Sequence, residues 1–214
     1  MGSAAVYRRP SFSGYYERPL NRALFRWIDY RKVSLIRREL ASLPDGAIVI
    51  DVGCGSGGIL EQIALPGSTR VAGDHDLRLL RAAQARGLTP VQFNFDATLP
   101  FSDNSVDAAL MIDTIEHTSE PHRALSELCR VLRPGGLAVV FTPPYDSVRW
   151  ILAERFHLLI TRRHADHISP FTRESFVWSL SRCFDDFRVG RVNSNLSMWA
   201  VARKAERKPS GATG

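Results

Sequence analysis

Residues 49–58 constrain the fold more than any other part of this chain. Their sequence, Val-Ile-Asp-Val-Gly-Cys-Gly-Ser-Gly-Gly, is a short apolar run with one acid that leads into glycines at alternate positions. Glycine adopts backbone conformations that a Cβ forbids, and it lets the backbone lie close to a ligand. A strand that ends in such a loop and is followed by helical residues 59–65 is typical of the first βα unit of an open α/β sheet. The pattern therefore predicts a ligand site at the carboxyl end of the first strand.

Two kinds of ligand fit this loop. Gly53, Gly55 and Gly58 match G-x-G-x-x-G, a pattern of dinucleotide sites in which a helix N-terminus faces a pyrophosphate. Asp51, followed by Gly53, Gly55 and Gly57, equally matches D-x-G-x-G-x-G, the pattern of S-adenosylmethionine (SAM) sites. A carboxylate attracts the ammonium group of SAM and repels a pyrophosphate. Asp51 therefore favours SAM, while the loop alone leaves both ligands open.

Strand and helix patterns alternate after residue 46. Apolar runs predict strands at 47–52, 69–73, 90–93, 106–112 and 137–142, and helical spacing predicts helices at 77–86 and 121–132. Nearly continuous apolar strands that alternate with helices predict a parallel sheet covered on both faces.

The end of the chain departs from this alternation. A predicted helix at 172–183 is followed by predicted strands at 187–192 and 196–202. The residues between these strands, 193–195, are too few for a parallel crossover, so the last strand is expected to be antiparallel. The predicted fold class is α/β: a Rossmann-like sheet of seven strands, mostly parallel with an antiparallel C-terminal strand, and helices on both faces.

The secondary-structure pattern and the charge distribution of the sequence predict the domain organisation. We expect a helical cap over 1–45, with a basic amphipathic helix at 20–40, a ligand-binding domain over 46–203, and a disordered tail over 204–214. Segment 144–185 is expected to face the substrate. The net charge is +6, but it is unevenly distributed, because both flanks are basic and residues 41–144 are acidic. Basic flanks indicate an anionic substrate or an anionic surface.

The cysteine and histidine pattern predicts no metal site and no disulfide framework. Cys54, Cys129 and Cys183 are odd in number and scattered, and His164 and His167 have no further ligand pattern beside them. We detect no secretory signal and no apolar run of the ~18–20 residues that would span a bilayer. The expected compartment is the cytoplasm.

Acidic residues follow or flank three further predicted strands. Asp74 ends the second strand about 20 residues after the glycine loop, where an acid can accept both ribose hydroxyls. Asp96 follows the third strand and could accept from an adenine amino group. Asp107 begins the fourth strand and Asp113 ends it, and we expect all four acids to serve the ligand site.

Residues 49–143 resemble the class I SAM-dependent methyltransferases, in particular the small-molecule group that includes quinone-biosynthesis methyltransferases. The resemblance lies in motifs that occur in the family's order: 51–57, Gly73-Asp74, Asp96-Ala97-x-x-Leu99-Pro100-Phe101, 101–107, Ile115-Glu116-His117 and 132–136.

The resemblance implies SAM as cofactor and assigns residues to its parts. Asp51 and the loop residues Gly53, Cys54, Gly55 and Gly57 would line the methionine end. Asp74 would bind the ribose, with the imidazole of His75 stacked on adenine. Asp96 and Ala97 would bind the adenine, and Asp113 would face the cofactor at the end of the fourth strand.

Candidate groups for the acceptor lie after the fourth and fifth strands. His117 is the candidate general base, since histidine is the side chain best poised for proton transfer near neutral pH. His167 and Tyr145 are expected to border the substrate. Tyr15 and Tyr16 are expected to reach the carboxylate of SAM.

The leading functional prediction is methyl transfer from SAM to a small, anionic or amphiphilic metabolite, at oxygen. An alternative is a methyltransferase that uses its basic flanks on RNA or on an anionic membrane surface, with peripheral contact only. We expect no stable nucleic-acid partner, because no RNA-binding module is recognisable. A SAM-binding protein without catalysis and a dinucleotide oxidoreductase are the remaining alternatives.

Overall fold

The computed structural model describes residues 19–63, 65–161 and 167–206. The predicted roles of Tyr15 and Tyr16 lie outside the described residues. So do the first part of the predicted cap and most of the predicted tail.

Seven strands and six α-helices make up the described part of the chain. The strands are β1 Ile48–Val52, β2 Thr69–Asp74, β3 Thr89–Gln92, β4 Val106–Ile112, β5 Leu132–Thr142, β6 Asp186–Val192 and β7 Ser197–Arg203. The helices are α1 Pro19–Leu40, α2 Gly58–Gln62, α3 Leu77–Ala85, α4 Pro121–Val131, α5 Val148–Thr161 and α6 Arg173–Ser181.

The strands form one sheet in the order β3-β2-β1-β4-β5-β7-β6. β1 pairs in parallel with both β2 and β4, and β7 pairs antiparallel with both β5 and β6. The predicted fold class is therefore confirmed. The strand order reverses between β1 and β4, and ligands of open α/β sheets bind at such a point, outside the carboxyl ends of the strands.

Alternation along the central strands divides the core between the two faces of the sheet. Ile50 of β1 faces a cluster that α4 and α6 complete, whereas Val49 faces a second cluster with residues of α1, α2 and α3. Successive side chains of a strand point to opposite faces, so apolar residues at consecutive positions require helices on both sides.

The second half of α1 belongs to this core. Ile36 and Leu40 are fully buried, and they pack in the second cluster with Leu60 of α2. This part of the predicted cap therefore covers one face of the sheet. Its action as a lid over the ligand stays a prediction.

The junction between α4 and β5 differs from the prediction. α4 ends at Val131, and β5 begins immediately at Leu132 instead of at residue 137. Leu132 pairs with Val106 and Leu137 pairs with Ala108, so the intervening residues form a bulge in which Gly135 has φ +79°. Glycine tolerates this left-handed conformation, and the bulge absorbs residues that the sequence pattern assigned to a helix end.

Asp107 lies at the amino end of β4, away from the carboxyl ends of the strands. Its Oδ2 accepts a hydrogen bond from the backbone N–H of Ile48, at 2.8 Å, and pairs with Arg133. The expectation that Asp107 serves the ligand site is wrong. Its carboxylate instead ties β4 to the start of β1 and to the bulge.

α5 was not predicted from the sequence. Its apolar residues are not confined to one face, and Val148, Leu152 and Phe156 are largely exposed. Helical periodicity is weak in such a segment, since periodicity arises from a single buried face. Among the described residues, no helix combines the length and the apolar content needed to cross a membrane.

Candidate functional site

The glycine loop closes against the end of β2. The N–H groups of Gly53 and Cys54 both donate to the carbonyl oxygen of Gly73, at 2.8 and 2.9 Å. Gly53, Gly55 and Gly57 all have positive φ, and Gly57 precedes the first residue of α2. The alternate glycines are thus explained by the backbone path, which turns sharply between β1 and α2 and leaves the loop without bulky side chains.

We expect Gly53→Ala to lower the free energy of unfolding by about 2–5 kcal/mol. A Cβ at this position would overlap the Thr114 side chain, and φ is +79°. The left-handed backbone costs a non-glycine residue about 1–2 kcal/mol, and overpacking adds about 1–3 kcal/mol. Urea unfolding of the two proteins measures the difference.

Gly55→Ala is the matched control. Gly55 also has a positive φ, +55°, but a Cβ there meets nothing within 4 Å among the described residues. Gly55→Ala should therefore lose only the stability that the left-handed backbone costs. Adding Thr114→Ala to Gly53→Ala should restore part of the lost free energy of unfolding. Equal losses at the two glycines would contradict the steric argument.

Asp51 is the buried acid at the carboxyl end of β1. Its side chain is 2% exposed, and Oδ1 has no hydrogen-bond partner among the described residues. Burial, together with repulsion from Asp74, raises its pKa to about 7. A buried carboxylate oxygen without a donor is costly, so the position favours a ligand that brings a cationic N–H group.

Asp74 links the end of β2 to the glycine loop. Its Oδ2 accepts from the N–H of Gly55, and its Oδ1 accepts from the N–H of Asp76, both at 2.9 Å. The Nδ1 of His75 lies 3.2 Å from Oδ1. A carboxylate has about four acceptor positions. Asp74 therefore retains capacity for a ligand's hydroxyl groups while it holds the loop in place.

Cys54 and His75 flank these acids. The Cys54 Sγ donates to the carbonyl oxygen of Gly55, and burial with the nearby carboxylates raises the pKa of the thiol. A thiol held protonated is a poor nucleophile, which is consistent with a packing role. The side chain of His75 is 56% exposed and is available to a flat ligand group.

Asp96 and Ala97 lie in the loop after β3. Asp96 accepts a hydrogen bond from the Thr118 hydroxyl, and the N–H of Ala97 donates to the carbonyl oxygen of Asn94. The first contact joins this loop to the segment after β4. No motif in the sequence indicates this role of Thr118.

Asp113 ends β4 with a positive φ, +48°. Its carboxylate pairs with Lys32 of α1, whose side chain is only 4% exposed and whose ammonium lies 5.7 Å from the centre of the Phe141 ring. α1 therefore reaches the edge of the sheet at which β1 and β4 end. Lys32 was missed by the sequence analysis, because one lysine on an arginine-rich helix carries no motif.

A second polar group, the acceptor cluster, consists of Glu116, His117, Tyr145 and His167. The ring centres of His117 and His167 are 4.9 Å apart. The His167 Nδ1 lies 2.6 Å from the Tyr145 hydroxyl, and the His167 Nε2 lies 4.0 Å from Glu116 Oε1. The structure thus brings together all three residues predicted for catalysis and substrate, and it adds Glu116.

Backbone contacts fix the two halves of the acceptor cluster to each other. The carbonyl oxygen of Glu116 accepts from the N–H groups of Ile168 and Ser169, at 2.8 and 2.9 Å. The Ser169 hydroxyl donates to the carbonyl oxygen of Thr118, at 2.8 Å. The turn after β4 and the start of segment 167–206 therefore form one frame beside Asp113.

The predicted site residues fall into two neighbouring groups. The loop glycines, Asp51 and Asp74 surround the ends of β1 and β2, and the acceptor cluster follows the end of β4. Asp113 directly follows β4, and the hydrogen bond from Thr118 to Asp96 joins the segment after β4 to the loop after β3. This arrangement provides one end suited to a nucleoside with an ammonium group and another suited to a reacting hydroxyl.

Part of the chain is similar in sequence to known methyltransferases. Residues 50–140 match a family model described as a methyltransferase domain. The demethylmenaquinone methyltransferase of Renibacterium salmoninarum is 40% identical over 113 residues, which cover 51% of this chain and 48% of that protein. An O-methyltransferase of Aspergillus nomiae is 31% identical over 130 residues, which cover 57% of each.

A solved structure extends the likeness to the whole fold. A SAM-dependent methyltransferase from Thermotoga maritima superposes with a TM-score of 0.66 at 19% identity, over 89% of this chain and 98% of that one. At this identity the likeness concerns the fold alone. This chain spans about half the length of the curated relatives it matches. Residues 50–140 are thus similar in sequence to a methyltransferase domain, and the chain has the fold of a solved SAM-dependent methyltransferase.

Proposed function

We propose that the chain transfers a methyl group from SAM to an oxygen of a small, anionic or amphiphilic metabolite. The observation that carries this proposal is the juxtaposition of two sites at one edge of the sheet. The glycine loop with Asp51 and Asp74 would bind the cofactor, and the acceptor cluster lies beyond Asp113.

The residues at the end of β1 and β2 fit SAM. Asp51 Oδ1, which has no described partner, would accept from the ammonium group, and the loop of Gly53, Gly55 and Gly57 leaves room for the methionine part. Asp74 would accept the ribose hydroxyls. When bound, SAM supplies a methyl group already activated by its sulfonium.

The adenine side of the site would be formed by the next loop and by His75. Asp96 uses one carboxylate oxygen on Thr118 and could accept from the adenine amino group with the other. Ala97 is small and exposed, and the imidazole of His75 could stack on the base.

On the acceptor side, the chain's main tasks are to orient the oxygen, exclude water and receive a proton. His117 is the proposed group beside the reacting hydroxyl. His167 and Tyr145 would border the substrate, with Trp150 stacked against His167 at 6.1 Å between ring centres. These aromatic groups favour a substrate with an apolar part.

Three further observations bear on the substrate and the compartment. The basic flanks favour an anionic group on the substrate. Two relatives are named a demethylmenaquinone methyltransferase and an O-methyltransferase, which supports a small-molecule acceptor. The three cysteines are free thiols, which supports a reducing, cytoplasmic location.

The second candidate function is methylation at an anionic membrane surface. The exposed Val148, Leu152 and Phe156 of α5 favour it, because apolar side chains beside Arg149 and Arg155 suit the boundary of a lipid layer. Cosedimentation with anionic vesicles, compared with neutral ones, tests this alternative.

The main experiment incubates the protein with isotopically labelled SAM and a metabolite or lipid extract, and identifies labelled products by mass. A product labelled at oxygen supports the proposal and names the substrate. Binding of SAM without any labelled product from either extract would favour a binding protein, and binding of NAD in its place would contradict the cofactor assignment.

SAM binding should depend on pH through Asp51. Only the ionised carboxylate attracts the ammonium group, and the pKa of Asp51 is raised to about 7. A single linked proton predicts that S-adenosylhomocysteine (SAH), which keeps the ammonium group, binds about tenfold more tightly at pH 8 than at pH 6. Calorimetric titration at the two pH values measures this change.

Asp51→Asn is the control for this pH dependence. It keeps the size of the side chain and removes its titration, so the affinity for SAH should become weak and nearly independent of pH. Asp74 and Cys54 face the same position but stay unchanged in this variant. A pH-independent affinity in the unmodified protein would contradict the contact between Asp51 and the ammonium group.

A further inference from the structure

Three potential metal ligands meet in the acceptor cluster. One carboxylate oxygen of Glu116 and one ring nitrogen each of His117 and His167 all lie within 4.8 Å of one another. Ligand atoms about 2.1 Å from an ion are at most about 4.2 Å apart. Shifts of a few tenths of an ångström in each side chain would therefore enclose a cation.

Glu116 offers a buried carboxyl oxygen to which no described residue donates a hydrogen bond. Its side chain is 1% exposed, and Oε2 accepts from the Thr142 hydroxyl at 3.1 Å. Oε1 has no hydrogen-bond partner among the described residues, since the His167 Nε2 is 4.0 Å away, beyond hydrogen-bond distance. Lys32, the nearby ammonium, pairs with Asp113 instead. A buried carboxyl oxygen without a hydrogen-bond partner is costly, and coordination of a metal would satisfy it.

His167 is oriented as metal-binding histidines are. The Tyr145 hydroxyl donates to Glu154 Oε1 at 3.1 Å, so its oxygen is left to accept from the His167 Nδ1–H at 2.6 Å. In this tautomer Nε2 carries the lone pair, and it lies 4.0 Å from Glu116 Oε1. A ligating histidine characteristically donates its other ring N–H to an oxygen acceptor.

We propose that Glu116, His117 and His167 bind a first-row divalent cation such as Zn²⁺ or Co²⁺. Two imidazoles and one carboxylate suit these ions better than Ca²⁺ or Mg²⁺, which prefer oxygen ligands alone. Three protein ligands leave a position open for a further oxygen. The sequence analysis predicted no metal site, because His117 and His167 are far apart in the sequence and neither belongs to a metal-binding spacing.

The proposed cation would lie beside the methyl acceptor and would activate it. This catalytic role rests on the proposed function. A Lewis acid beside the acceptor lowers the pKa of a bound hydroxyl. The proton of the bound hydroxyl would then pass to solvent, and His117 would act as a ligand of the cation in place of a base. Metal binding itself can be measured without SAM and without an acceptor, so its failure is distinguishable from a failure of the proposed function.

The test titrates Co²⁺ into the full chain after dialysis against a chelator. We expect visible d–d absorption that saturates at one equivalent, and competition by Zn²⁺. His167→Ala should abolish the absorption, and Glu116→Gln serves as a second variant should one of the two fail to fold. Tyr145→Phe keeps the ring but loses the hydroxyl that orients His167, and it should weaken Co²⁺ binding about 10–100-fold.

His122→Ala is the matched control, since His122 of α4 lies outside the cluster and packs on Trp178, with ring centres 4.6 Å apart. It should bind Co²⁺ like the unmodified chain. Absence of a saturable Co²⁺ signal, or the same signal in all folded variants, would overturn the metal site. SAH affinity, measured on the same samples, should remain unchanged throughout and tests the cofactor site independently.

Discussion

Replacing Asp74 with alanine should weaken the binding of SAH by at least about 100-fold, because two hydrogen bonds to a charged acceptor are worth about 1.5–3 kcal/mol each. Asp74 would lose its contacts with the ribose hydroxyls and also its bond to the N–H of Gly55. The variant therefore loses both a ligand contact and the anchor of the glycine loop. Isothermal titration calorimetry with SAH measures the change.

Two further variants isolate the cause. Asp74→Asn keeps the shape of the side chain and one acceptor oxygen, so it should lose less affinity than alanine does. Asp103→Ala removes an exposed acid that pairs with Arg130 on another part of the surface, and it should bind SAH normally. Unchanged affinity in a folded Asp74→Ala protein would refute the placement of the cofactor.

The cofactor side could be predicted from the sequence because its chemistry lies in consecutive residues. The apolar residues of β1 bury the strand, Asp51 sits at its end, and the loop glycines adopt the positive φ values that the turn requires. Asp74 and Asp113 could be placed because the ends of parallel strands meet at one edge. Asp107 was misjudged, since an acid at the amino end of a strand lies at the opposite edge.

The acceptor cluster is assembled by tertiary contacts, which a local sequence pattern does not predict. His167 reaches His117 only because the carbonyl oxygen of Glu116 holds the N–H groups of Ile168 and Ser169. Lys32 reaches Asp113 only because Ile36 and Leu40 seat α1 on the sheet. Glu116 belongs to the motif Ile115-Glu116-His117, which the sequence shows. Its burial, which makes it a candidate ligand, is shown only by the fold.

The cofactor site and the acceptor cluster also differ in how much of each lies within the matched domain. Asp51, Asp74 and Asp113 lie within the matched residues 50–140, whereas Tyr145 and His167 of the acceptor cluster lie outside them. The segment that supplies Tyr145 and His167 is thus the part of the chain expected to determine the substrate. Specificity in this fold is a property of the site and not of the sheet.

Replacing His117 with alanine should lower the turnover number about 100-fold or more, since a positioned proton acceptor contributes about 10²–10⁴ to the rate. The affinity for SAH should stay unchanged, because His117 is not among the residues proposed to bind the cofactor. The assay follows transfer of label from SAM to the product that the extract experiment identifies. A loss in turnover without a loss in cofactor affinity assigns His117 to the acceptor side of the site.

His122→Ala controls for the loss of a histidine, and it should retain full turnover. Both a direct base and a metal ligand predict the loss at His117, but they differ in their response to Co²⁺ and to chelators. If dialysis against a chelator removes activity and Zn²⁺ or Co²⁺ restores it, the imidazole acts through the cation. If His117→Ala keeps full activity, neither role holds, and His117 serves only to pack against His167 and order the turn after β4.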